Sequence, residues 1–322
     1  MMRVCYVVSQ EQTRQALERR SNMKSVTFRN RTWDVAAELH VPADFDESRT
    51  YAAIVCVHPG SSCKGQTAGL YASRLAEQGF VAIAFDASFQ GESGGEPRYI
   101  EDPATRVEDV RCAVDYLVTL PYVDEEKIGV LGVCAGGGYA VNAAMTEHRI
   151  KAVGTVVGAN IGRLNREGDV IATLEAIGKQ RTAEARGAEP LINNWIPNST
   201  KERDAAGITE VDVAQAVNYY RTPRGQNACA PNKLRSTSVG SVIAFDAFHM
   251  VEDLLTQPIQ IIVGSVPGAF GSLKDGQELH ARVKSEKDLF VVEGATHYDL
   301  YDQPEPVAKA VAKLVPFYKK HL

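Results

Sequence analysis

The chain has no apolar run long enough to cross a bilayer, so it offers no candidate transmembrane helix. It has no surplus of positive charge either. Lys and Arg number 35 against 40 Asp and Glu, a formal net charge of −5, which leaves no basic footprint for nucleic acid. Its six cysteines, Cys5, Cys56, Cys63, Cys112, Cys134 and Cys229, form no C-x-x-C pair and no metal-ligand spacing. They read as free thiols, and neither a metal nor a cofactor is expected. The patch Val4–Val8 is too short for a signal-peptide core and no small-residue cleavage site follows it, which points to the cytoplasm. Residues 1–22 read as an added N-terminal arm.

What remains is an ordinary globular composition, 44% hydrophobic over 322 residues, enough for one large domain with an insertion. Short, continuously apolar runs recur at Ala52–His58, Phe80–Phe85, Lys127–Gly132, Ala152–Val157, Ile259–Val263 and Leu289–Val292. Strands covered on both faces have this composition. Helical patterns lie between them at Thr67–Gln78, Pro103–Leu120, Tyr139–Thr146, Gly276–Val283 and Pro306–His321. The alternation predicts an α/β fold, a mostly parallel sheet with helices on both faces, edged by a hairpin at Val26–Phe28 and Ala36–His40. Residues 162–238 break the rhythm with no core strand. They are expected to form a helical cap inserted into a core of residues 23–161 and 239–322, over the sheet edge where ligands bind in open α/β folds.

Two segments carry the letters of a nucleophile elbow, a tight turn joining a strand directly to a helix. Gly91-Glu92-Ser93-Gly94-Gly95 fits by letter, but Asp86–Gln90 separates it from its strand and Gly94, Gly95 and Pro97 follow it. That is loop chemistry, and Ser93 is rejected. Gly132-Val133-Cys134-Ala135-Gly136 has a strand leading in and a helical pattern leading out. Its small flanking residues suit the close approach of strand and helix, so Cys134 is the candidate nucleophile. A helix N-terminus is expected to lower its thiol pKa.

The developing oxyanion needs donors. Ala135 supplies one backbone N–H; the second falls to Gly60 or Ser61 in the loop after Ala52–His58, because Pro59 has none. His297, in the loop beyond the last strand, is the candidate general base. His58 is assigned a structural place. The acid that usually completes such a set has no match. Gly264–Phe270 contains no carboxylate, and Asp246, Glu252, Asp253 and Asp275 all stand off the expected position.

The order His58-Pro59-Gly60, Gly91–Gly95, Gly132-Val133-Cys134-Ala135-Gly136-Gly137 and Gly294-Ala295-Thr296-His297 resembles the dienelactone hydrolase-like branch of the α/β-hydrolases. The resemblance implies a Cys-Asp-His set with Cys134 as nucleophile and His297 as base. Val266 and Gly268 occupy the neighbourhood of the family's aspartate. His58-Pro59 stands where the family has a glutamate that controls the thiol, and the cap is larger. The expected chemistry is hydrolysis of a small-molecule ester, lactone or thioester through an acyl-enzyme. Alternatives are acyl transfer to a small acceptor, or a weakly active binding protein on the same scaffold. No membrane or nucleic-acid partner is expected, and a homo-oligomer is compatible with the chain.

Overall fold

The computed structural model describes residues 22–322. The expected N-terminal arm falls outside them except for Asn22, whose carbonyl accepts from Val41 N–H. The strands are β1 (Met23–Asn30), β2 (Trp33–His40), β3 (Tyr51–Val57), β4 (Val81–Phe85), β5 (Val123–Val133), β6 (Ile150–Val156), β7 (Ile192–Asn193), β8 (Leu234–Arg235), β9 (Ile259–Gly264) and β10 (Lys287–Val292). Eight of them form one sheet in the order β1-β2-β4-β3-β5-β6-β9-β10. β2 lies antiparallel to both β1 and β4, and every pair from β4 to β10 is parallel. The fold is the α/β architecture read from the sequence.

Alternation along the strands divides the core in two. Ala53, Val55 and Val57 of β3 face the helices Pro103–Leu117, Ala135–Ala144 and Ser272–Arg282. Ile54 and Cys56 face Thr67–Ala76 and the C-terminal helix Pro304–His321. Each layer removes a continuous apolar surface from water, the dominant favourable contribution to folding. Chain order reverses at β3, which has β4 on one side and β5 on the other. A crevice opens at such a switch point beyond the carboxyl ends of the strands.

Two boundaries differ from expectation. β5 begins at Val123, because its first residues carry Asp124, Glu125, Glu126 and Lys127 in an exposed stretch before a register shift near Ile128. The following helix begins at Ala135 rather than Tyr139 and absorbs the run Gly136-Gly137-Gly138. Among the described residues no helix is long and apolar enough to cross a membrane.

The stretch between β6 and β9 holds the helices Ile161–Asn165, Val170–Ala185, Thr200–Ala205, Val211–Tyr220, Val239–Ala244 and Val251–Leu254, with β7 and β8 paired antiparallel apart from the main sheet. Asn232 ties its segments together by accepting from Trp195 N–H (3.0 Å) and Ile196 N–H (3.2 Å) and donating to Ile196 O (2.7 Å).

Candidate active site

β5 delivers Cys134 to the apex between strand and helix. The residue has φ 54° and ψ −125°, a left-handed backbone that non-glycine residues rarely adopt. Its carbonyl accepts from Gly137 N–H (2.8 Å) and Ala159 N–H (2.9 Å), and its own N–H donates to Val156 O (3.1 Å). These bonds hold the turn against its strain. The glycines are needed for closeness: a Cβ at Gly132 would overlap the Gly136 carbonyl, and one at Gly136 would overlap the Val57 carbonyl. The elbow context read around Cys134 is therefore present in the backbone.

Cys134 opens into a cavity of about 350 Å³. The core contributes Gly60, Ser61, Ala135, Phe270, Tyr298 and Tyr301, and the inserted segment contributes Leu164, Asn165, Trp195, Ile196, Tyr220 and Leu234 among others. Gly60, Ser61 and Ala135, the expected oxyanion donors, thus stand beside the thiol in one space. Among the described residues that line it, no side chain carries a formal charge.

The thiol departs from expectation. Burial pushes Cys134 up to about 11, and the smaller lowering influences of the Tyr301 hydroxyl and the Ala135 N–H do not offset it. The helix start is present, but desolvation outweighs it.

His297 is buried in the loop after β10. One ring nitrogen, Nδ1, meets Ser272 Oγ at 3.0 Å, and Nε2 meets the Tyr301 hydroxyl at 3.2 Å. Its ring is enclosed by Phe270, Tyr298 and Tyr301. Burial pushes it down to about 3, so the imidazole is neutral. Among the described residues no carboxylate hydrogen-bonds to it; the hydroxyl of Ser272 stands in that place. Asp275, on the same helix, turns away to accept from Asn160 N–H (2.8 Å) and the Arg163 guanidinium (2.5 Å). Sequence reasoning missed both Ser272 and Tyr301. The only signal for Tyr301 was its place four residues beyond His297, and hydroxyl residues are too common for that to single it out.

The rejected and structural candidates have clear places. Ser93 is buried, donates to Asp86 O (2.6 Å) and accepts from Ala36 N–H (2.9 Å), so its hydroxyl is used by the backbone. His58 is wholly buried; its Nδ1 donates to Pro59 O (2.6 Å) and its Nε2 accepts from Ala87 N–H (3.0 Å). Arg106 donates to His58 O (2.6 Å) and pairs with Glu101, which accepts from Tyr139 OH (2.7 Å). This buried set fixes the peptide that precedes Gly60. Asp86, Glu92 and Cys229 bring ligand atoms within 4.8 Å of one another, but the Lys64 ammonium already sits on both carboxylates, at 2.8 and 2.5 Å. The five described cysteines are free.

The inserted segment is pinned to the histidine side of the site. Thr296 Oγ1 donates to Gln215 (2.7 Å), Arg224 pairs with Asp302 (2.6 Å) and donates to Tyr298 O (3.0 Å), and Asp212 accepts from Phe270 N–H (2.8 Å). Its carboxylates Glu210 and Asp212 meet the loop after β9, where no acid of the loop's own exists.

A parallel sheet that feeds a strained elbow at its carboxyl edge, beneath an inserted layer, defines an α/β hydrolase. Within that class the chain belongs to the hydrolase family described as serine aminopeptidase, S33, which it matches over residues 48–304. That description names a serine enzyme, whereas the elbow of this chain holds Cys134. The chain is 45% identical over 302 residues to protein YcjY of Escherichia coli K12, spanning 91% of this chain and 96% of that one. The crystal structure of protein PA2218 from Pseudomonas aeruginosa superposes with a TM-score of 0.84 at 32% identity, covering 93% of this chain and 94% of that chain. Thiohydrolase aneE of Aspergillus aculeatus is 30% identical over 222 residues, 66% of this chain and 68% of its own length.

Proposed function

We propose that the protein hydrolyses an uncharged, largely apolar carboxylic ester, lactone or thioester through a Cys134 acyl-enzyme, after the pattern of the dienelactone hydrolase-like branch. The observation that carries this reading is a strained Cys134 that shares one cavity, lined by no formal charge, with backbone donors and with Tyr301, whose hydroxyl meets the buried imidazole of His297. Cys134 attacks the carbonyl carbon. The N–H groups of Ala135 and of Gly60 or Ser61 receive the oxyanion, each such donor contributing about 3 kcal/mol to the transition state. His297 is the general base for the thiol and then for the water that releases the acid. A volume of about 350 Å³ equals roughly a dozen water volumes of ~30 Å³, which suits a compact acyl group. The thiohydrolase among the relatives favours including thioesters in the range.

A panel of neutral and anionic acyl thioesters and p-nitrophenyl esters tests this, with peptide mass spectrometry of the trapped enzyme. Turnover of neutral substrates with an acyl adduct on Cys134, lost in Cys134→Ala and kept in Ser93→Ala, is the expected result. An adduct on another residue removes the assignment, and silence across the panel favours a binding protein. Products that partition to an added thiol or alcohol mark an acyltransferase instead.

A further inference from the structure

The hydroxyl on His297 Nε2 has no place in the usual scheme. His297 and Cys134 share no direct hydrogen bond. The Tyr301 hydroxyl stands 3.2 Å from His297 Nε2, lines the same cavity as Cys134, and acts electrostatically on its thiol. Its position is firmly held. The ring has no solvent exposure and packs at 4.4 Å from Tyr298 and 5.2 Å from Tyr219, centroid to centroid. Its short helix, Asp299–Asp302, is anchored from Thr67–Ala76 by Thr67 Oγ1 donating to Tyr301 O (3.1 Å) and Tyr71 OH donating to Leu300 O (2.8 Å).

Resting on the reading of Cys134 as nucleophile, we propose that Tyr301 is a further catalytic residue, whose hydroxyl relays the thiol proton to His297. As the Sγ–C bond forms, the S–H proton passes to the Tyr301 oxygen and the Tyr301 proton passes to His297 Nε2. The carbonyl π pair moves to its oxygen, giving an oxyanion and an imidazolium; tyrosine is neutral before and after. When the intermediate collapses, the proton returns along the same path to the leaving oxygen or sulfur. The relay uses the tautomer in which His297 Nδ1–H donates to Ser272 Oγ and Nε2 accepts. Burial holds the phenol well above its usual range, so a free tyrosinate is disfavoured and the two transfers are coupled.

The test is single-turnover acylation of Cys134 by a neutral activated thioester in mixtures of H2O and D2O. The wild-type rate is expected to bow downward with deuterium fraction, as two protons in flight require. Tyr301→Phe is expected to lose about 100-fold in acylation rate with KM within about twofold, the scale of one lost proton-transfer group. Equal acylation by Tyr301→Phe and wild type, or a linear wild-type curve, overturns the relay and leaves the nucleophile standing. No Cys134 adduct in wild type overturns both. If Tyr301→Phe does not fold, 3-fluorotyrosine at position 301 keeps ring and hydroxyl while making the phenol more acidic. A changed rate and solvent isotope effect supports the relay, and unchanged values overturn it.

Discussion

At the scale of single residues, Cys134 differs from the low-pKa thiols of many cysteine enzymes. Its surroundings are apolar, and burial holds the thiol protonated up to about pH 11. Across the neutral range it therefore does not rest as a thiolate–imidazolium pair, since His297 beside it also resists charge down to about pH 3. In the proposed reaction, charge is created only as the carbonyl is attacked. The expected signature is slow alkylation by iodoacetamide, an uncharged reagent. The rate should climb about tenfold per pH unit from neutrality toward pH 11, because a group below its pKa ionises in that proportion. Peptide mapping of Cys134 against pH checks this; a plateau already reached near pH 7 would refute it. The ring that takes up the proton on attack has the Ser272 hydroxyl at Nδ1, where a triad acid would orient it and stabilise the imidazolium.

At the scale of elements, the strand-to-helix turn depends on the absence of side chains. Gly136→Ala is expected to cost about 1–3 kcal/mol, the range for overpacking, because its Cβ would enter the Val57 carbonyl. Gly178 offers the opposite case. It lies inside the helix Val170–Ala185 with an ordinary backbone and nothing within 4 Å of where its Cβ would stand, so Gly178→Ala should stabilise by up to about 1 kcal/mol. Urea unfolding of the two variants checks the contrast. The same elements show what is legible in sequence. β3, β4, β6 and β9 are plain there because burial on both faces leaves them continuously apolar. The start of β5 is hidden by its exposed acidic residues, and the start of the helix at Ala135 by three glycines that suggest a loop. The positions of Cys134 and His297 are legible because each follows a strand end. Tyr301 and Ser272 are not: Ser272 meets His297 across 25 residues, and a tyrosine four residues after a histidine is too common a pattern to single out.

At the scale of the whole molecule, the inserted layer is braced against the histidine side by Gln215, Arg224 and Asp212. Arg224→Ala removes a two-point pair with Asp302 and the bond to Tyr298 O. Loosening the turn that carries Tyr301 should lower kcat roughly tenfold, since small misplacements near reacting atoms are costly. Arg224→Lys should restore little of it, because an ammonium cannot reproduce the planar fork. Steady-state kinetics of both variants on one neutral ester decides the point, and wild-type kcat in Arg224→Ala would refute it. The cavity wall has a further consequence. Trp195 comes from the insertion, yet its ring stands 3.4 Å from where a Cβ of Gly60 would be, against the oxyanion loop. The elbow and the Trp195 wall thus come from separate stretches of chain that meet at one surface. Under the proposed reaction, exchange of Trp195, Leu164 or Ile196 would reshape the space for the acyl group and leave the elbow unchanged.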